Sequence, residues 1–281
     1  MRLAWATDIH LNFVDRETAG RFCEEVEGSG ADRLVISGDI AESFDLGETL
    51  GFLADRLPCP IDFVLGNHDY YGSRIADIRA AMAEVTRRIT PLNWLPESGV
   101  LSICPEVALL GHDGWGDARL GDFAGSTIRL NDYRLIGELS GLDRMSLARV
   151  LRSLGDEAAS FARRALPHAL QRHRSAIFAT HVPPFRESCV FKGRVANDEW
   201  APHFSCGSLG DALVEVMTRS PDRRLLVLCG HVHNPAVARI LPNLVAMTGG
   251  AEYRRPEVCR VFDVPADLDA LFEDQDRPVT V

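Results

Sequence analysis

Short apolar runs with β character recur along the chain, and each ends in a polar cluster: "RLAWATDIH", "RLVISGDIAES", "IDFVLGNHDYYG", "VALLGHDGW", "SAIFATHVPPF" and "LLVLCGHVHN". Their apolar parts are near-continuous, which predicts strands covered on both faces. Between the first three runs the pattern switches to helical spacing, over Arg16–Glu27 and Leu46–Leu57, and it does so again after the third over Arg74–Arg88. Strand, helix, strand order implies an α/β sheet. Parallel strands bring their C-terminal ends to one edge, where ligands bind. Every polar cluster lies at such an end.

Residues 117–141 read as a loop rich in Gly and Asp. Leu147, Val150, Leu151, Leu154, Ala158, Phe161 and Ala165 then keep an i, i+3/i+4 rhythm, so an amphipathic helix is expected, with Pro167 ending or restarting it. After Pro183–Pro184 a loop is expected to about Cys206, followed by a helix over Leu209–Thr218. Val237–Leu241, Leu244–Met247 and Val258–Val264 read as closing strands, and the acidic tail "LFEDQDRPVTV" as frayed or solvated. No repeat or linker forces a boundary, so a single domain over 1–281 is expected.

Composition narrows the function classes. A hydrophobic content of 46% supports a substantial core, and a formal charge of −10 disfavours a nucleic-acid polymer or an anionic membrane as partner. Seven scattered cysteines without CxxC spacing read as reduced thiols. The N-terminus reaches Asp8 too early for a signal peptide, and no apolar run approaches a membrane span, so a soluble, cytoplasmic protein is expected.

Candidate chemistry gathers at the strand ends. Asp8 and His10 stand at i and i+2, so on an extended backbone both project to one face as a half-shell for a transition metal. Asp39 ends the second run, as a metal ligand or a helix cap. Asn67 has a carbonyl oxygen for a hard cation, and His68 with Asp69 has the residue types of an oriented acid/base pair. His181, His231 and His233 end two further runs, so five of nine histidines follow apolar strands. Eight candidate ligands exceed what one tetrahedral zinc takes, and a set without thiolates suits two borderline ions.

The ordered series DxH, GD, GNHD, a lone His and GHxH, from Asp8 to His233, resembles the calcineurin-like metallophosphoesterase superfamily. The resemblance implies a four-layer αββα sandwich, α/β (α+β) in class, with two mixed β-sheets flanked by helices. It implies Asp8, His10 and His233 on one metal, Asn67, His181 and His231 on the other, and Asp39 bridging. On that assignment His231 and His233 straddle the metal pair, and Gly230 is expected to let the backbone turn sharply between them. "GHDGWGD", "LNDYRLI" and "GGAEY" resemble segments that bacterial members place around the site, which makes Trp115, Asn131, Asp132 and Tyr253 possible pocket residues. "GDIAES" and "GNHD" depart from the protein serine/threonine phosphatases, which carry an arginine soon after GD and read GNHE.

The expected function is therefore hydrolysis of a small phosphorylated substrate by a metal-held hydroxide. Two divalent or mixed-valence ions (Mn, Fe or Zn) would neutralise phosphate oxygens and acidify the nucleophile. His68, oriented by Asp69, would stabilise the transition state or protonate the departing oxygen. Loops 115–137 and 184–206 are expected to face substrate, where Arg134, Arg186, Lys192, Arg194 and His203 could meet a second anionic group. A catalytically inactive scaffold on the same fold and a nuclease for short oligonucleotides are the competing classes. Monoester, diester or pyrophosphate specificity and the oligomeric state stay open.

Overall fold

The computed structural model describes residues 1–273. The strands are β1 (Arg2–Ala6), β2 (Arg33–Ser37), β3 (Ile61–Val64), β4 (Leu92–Trp94), β5 (Leu101–Cys104), β6 (Val107–Gly111), β7 (Ser175–Ala179), β8 (Val190–Phe191), β9 (Arg194–Val195), β10 (Arg224–Cys229), β11 (Ala236–Leu241), β12 (Leu244–Thr248) and β13 (Arg260–Asp263). One sheet runs β13-β1-β2-β3-β4 and the other β11-β12-β10-β7-β6-β5. Within them β1 to β4 are parallel, as are β6, β7, β10 and β12, while β5, β11 and β13 pair antiparallel at the edges. The continuous apolar runs thus become interior parallel strands.

Three apolar clusters define four layers. Leu3, Trp5, Val35 and Val64 of the first sheet meet Leu109, Ile177, Leu226 and Met247 of the second in a shared core. The outer face of the first sheet packs on Phe22, Leu46, Leu50, Leu53 and Met82 from the helices Arg16–Gly28, Ser43–Arg56 and Ile75–Arg88. The second sheet's outer face packs on the helices Arg144–Arg172 and Gly207–Thr218 through Ala162, Leu166, Leu209 and Leu213. This is the expected sandwich of two mixed sheets flanked by helices. The buried indole of Trp5 keeps its N–H satisfied by donating to Ser37 Oγ at 2.9 Å.

Local signals set most boundaries. Asp15 and Asp143 cap their helices by accepting from Thr18 N and Ser146 N, each at 2.8 Å. Pro167 departs from expectation, since the helix continues unbroken to Arg172. Ala162, Leu166, Ala169 and Leu170 are buried on both sides of it, whereas Arg163, whose carbonyl loses its partner, is exposed. Packing on the core side outweighs one lost bond on the wet side. The expected 184–206 loop instead contains the hairpin β8–β9, turned by Lys192 and Gly193, both at positive φ. The first residues of the acidic tail end a helix, Ala266–Glu273, and the tail from 274 lies outside the described residues. No described helix is long and apolar enough to cross a membrane.

Candidate metal centre

The C-terminal ends of β1, β2, β3, β7 and β10 converge, and the seven expected ligands lie on the loops that leave them. His233 Nε2 lies 3.2 Å from Asp8 Oδ1 and 3.5 Å from His10 Nε2, and His10 Nε2 lies 3.6 Å from Asp39 Oδ2. Donor atoms of these four residues all fall within 4.8 Å of one another. Beside them, His181 Nε2 and His231 Nδ1 each stand 3.0 Å from Asn67 Oδ1, and His181 Nε2 stands 3.4 Å from Asp39 Oδ1. Asp39 therefore directs one carboxylate oxygen at each group.

The donor set fits ions. Donors held about 2.1 Å from a metal sit roughly 3.0–3.4 Å apart in octahedral or tetrahedral arrangements, close to the spacings above. Electrostatics agrees. Burial, then the neighbouring carboxylates of Asp8 and Asp69, push Asp39 well above the ordinary carboxylate range, a conflict that a cation between them relieves. Burial pushes His10 down to about 3 and His231 well below its usual value, so both are neutral imidazoles ready to coordinate. His181 Nδ1 is fixed as a donor by the Ser37 carbonyl at 2.9 Å, which leaves Nε2 to face Asn67 and Asp39.

The backbone here is strained. Asp8, His10, Asp39, His231 and His233 all have positive φ, between 41° and 71°. Asp and His tolerate this region better than most residues, at about 1 kcal/mol or more each. Extended geometry at Asp8 and His10 is thus corrected: β1 ends at Ala6 and left-handed residues aim both side chains. Gly230 is corrected likewise. The positive φ falls on the histidines after it, and Gly230 is needed for close approach, because a Cβ there would collide with Thr7 Oγ1 and the Asp8 carboxylate.

His68 and Asp69 do not form the expected pair. Asp69 is buried and accepts from the main-chain N–H groups of Asp39, Ile40, Ala41 and Gly66 at 2.7–3.0 Å. It clamps the loops after β2 and β3 together. His68 Nδ1 is buried without a hydrogen-bond partner among the described residues, while the His68 main-chain N–H donates to Asp39 Oδ1 at 2.8 Å. The His68 ring packs edge-on against His10, 4.7 Å between centroids, and burial holds it down to about 4.

A sequence model described as calcineurin-like phosphoesterase matches residues 1–235. The chain belongs to the calcineurin-like phosphoesterase family. It is accordingly a phosphoric ester hydrolase. Among solved structures, phosphopantetheinyl hydrolase from Mycobacterium tuberculosis is similar at a TM-score of 0.64 and 14% identity, covering 90% of each chain. A dimetal phosphatase from Danio rerio is similar at a TM-score of 0.57 and 10% identity, over 89% of this chain and 87% of that one. At these identities the likeness speaks to the fold. Curated protein sequences return no match.

Other singled-out residues of this phosphoesterase divide sharply. Asp132 is buried beside the centre, where its Oδ1 accepts from Asn67 Nδ2 at 2.9 Å and Tyr71 OH at 2.6 Å. That fixes the Asn67 amide with Oδ1 toward the two histidines. Tyr253 stacks on His10 at 4.6 Å, with its hydroxyl 3.5 Å from His68 Nε2. Trp115 packs in the core against Tyr70, and Asn131 and Arg134 are exposed. His203 is buried between Ser126 Oγ and Tyr133 OH, and Arg186 is paired with Asp198 at 2.6 Å, so neither is available to a second phosphate. Asp113, a residue of "GHDGW" that residue type alone does not single out, accepts from Leu65 N, Trp94 Nε1 and Tyr70 OH and braces the β3 loop. Its signal was position at the end of β6 beside the other blocks.

Proposed function

We propose that this phosphoesterase is a dinuclear enzyme that hydrolyses a small phosphorylated substrate. The observation that carries the reading is Asp39, with one oxygen toward the Asp8, His10, His233 group and the other toward the Asn67, His181, His231 group. Imidazole-rich donors of this kind favour manganese, iron or zinc over magnesium or calcium. When bound, such ions neutralise phosphoryl charge and acidify the nucleophilic water. Asp39 holds the two ligand groups in register, and the His68 N–H holds Asp39. The neutral His68 ring, at the mouth of the site beside Tyr253, donates a hydrogen bond to the departing oxygen. The seven free thiols support a cytoplasmic location.

The test is hydrolysis of p-nitrophenyl phosphate and bis(p-nitrophenyl) phosphate with Mn²⁺, read beside metal content. Asp39→Asn loses metal and activity together, whereas His68→Gln keeps metal and slows turnover by roughly 10²–10⁴-fold. Wild-type rates from Asp39→Asn would overturn the dinuclear reading.

A further inference from the structure

A cavity of about 450 Å³ adjoins the metal centre and shares His231 with it. That volume suits a small-molecule group. Its wall comes from the hairpin β8–β9 and the segment after it, with Phe191, Val195, Trp200 and Phe204 as the apolar lining. Phe204 packs on the His231 ring at 4.9 Å, so the apolar surface runs directly up to a residue of the centre. Phe191 and Trp200 face each other nearly parallel, at 10° and 6.5 Å between centroids. Each is left unusually open for a large aromatic, 58% and 45% exposed. The cavity's rim adds cations, with Arg194 in its lining and Lys192 Nζ 5.3 Å from the Phe191 ring centre.

Solvent-facing aromatics beside a polar centre are costly surface unless a ligand covers them. Their arrangement also specifies what covers them. Parallel ring faces stack on a planar π-system, worth roughly five- to a hundredfold in affinity per stacked base, and are indifferent to which base it is. A flexible aliphatic chain gains burial there but nothing from the parallel orientation of the ring faces.

Resting on the phosphoesterase reading, we infer that this cavity binds the leaving group of the substrate, and that this group is a planar aromatic ring, either a nucleobase or a simple aryl group. Phe191 and Trp200 are then specificity residues, and the phosphoryl group reaches the centre past His231.

The test uses esters of primary alcohols, so that intrinsic reactivity is matched: benzyl, cyclohexylmethyl and nucleoside 5′ phosphates, each as the monoester and the methyl diester. For the metal-loaded enzyme, kcat/KM for the benzyl ester exceeds that for the cyclohexylmethyl ester by about tenfold. Phe191→Ala and Trp200→Ala bring the ratio toward one, while Trp200→Phe preserves it. Nucleotides outrunning the benzyl ester identify a nucleobase, and the reverse order identifies an aryl group. Binding is read independently by tryptophan emission, because Trp5, Trp94 and Trp115 are buried and Trp200 is open. Saturable quenching by benzylphosphonate, absent in Trp200→Phe, supports the cavity even if no ester is hydrolysed, a result that would sink the phosphoesterase reading alone. Ester hydrolysis with a ratio that neither favours benzyl nor responds to these substitutions overturns the cavity proposal alone.

Discussion

Removing the Asp132 carboxylate should disable one half of the metal centre and spare the other. Asp132 is 3% exposed, and its Oδ1 is where Asn67 Nδ2 and Tyr71 OH both terminate. In Asp132→Ala the Asn67 Nδ2 group loses its charged acceptor and keeps only the longer contact to the Tyr71 hydroxyl, at 3.1 Å. A flipped amide would point N–H groups at His181, His231 and any cation between them. A hydrogen bond to a charged group contributes about 1.5–3 kcal/mol, so the correct orientation loses roughly 10- to 100-fold in preference. Loss of a partner behind a metal ligand typically weakens binding by a similar factor. Calorimetric titration of metal-free protein with Mn²⁺ or Zn²⁺ should show one of two binding steps weakened by about that factor. The step assigned to Asp8, His10 and His233 should change by less than about threefold, because the three residues have no contact with Asp132 among the hydrogen bonds described. Tyr71→Phe removes the neutral acceptor of Asn67 Nδ2 at 3.1 Å but leaves the shorter, charged Asp132–Asn67 bond in place, and should cost only a few-fold. Equal weakening of both steps, or a Tyr71→Phe effect as large as that of Asp132→Ala, would refute the assignment of Asp132 as the residue that orients Asn67.

Two further outcomes test the site's chemistry and packing. Burial opposes charge on His233, but the hydrogen bond to Asp8 and the attraction of its negative charge together outweigh this and raise the His233 pKa, while His181 and His231 are lowered. Metal entering beside Asp8 therefore competes with a proton on His233, and affinity there should fall by up to about tenfold per pH unit as pH drops through the raised His233 pKa. The Asn67 side should stay nearly flat over the same range. Calorimetry in buffers of different ionisation enthalpy counts the released protons, and identical counts for both steps would contradict the stated pKa directions. Gly230→Ala should cost about 1–3 kcal/mol of stability and most of the bound metal, since its Cβ would displace Thr7 or Asp8. Gly47→Ala, with nothing within 4 Å of its Cβ in the helix Ser43–Arg56, should instead stabilise by about 0.5–1 kcal/mol. Thermal unfolding and metal content separate the two, and a harmless Gly230→Ala would show that close approach there is unnecessary.

The centre was legible because parallel strands advertise themselves twice. A strand such as β10, buried along Leu225–Cys229, must be apolar throughout, so the first polar residues after it mark where it leaves the core. His231 and His233 stand out for that reason, as do Asp8, Asp39 and Asn67. What residue type could not reveal was the partner of each side chain. Asp69 beside His68 suggested a pair, yet its carboxylate accepts from three main-chain amides brought by the loop after β2 and one, Gly66, from its own loop. His203 and Arg186 looked free for substrate, but Ser126, Tyr133 and Asp198 claim them across long or looped separations. Pro167 carried a correct local cost that burial of its neighbours overrides. The hairpin turned by Lys192–Gly193 was not legible, because Lys-Gly is not among the favoured Asn-Gly or Asp-Gly turn pairs and strands as short as "VF" and "RV" give no periodicity.

Much of the chain around the centre serves to brace its main chain. Asp8, His10, Asp39, His231 and His233 sit in a backbone region that costs free energy, and Asp39 is a buried carboxylate beside two others. Left alone, such a cluster would relax by turning its loops outward. Asp69 prevents this at β2 and β3 through four main-chain amides, and Asp113 ties the β3 loop to Trp94 and Tyr70. Asp8 receives Thr7 Oγ1 and the His231 N–H on its own carboxylate, which joins the β1 and β10 loops. Three carboxylates thus hold the loops after β1, β2, β3 and β10 in the strained conformation that gathers the donor atoms.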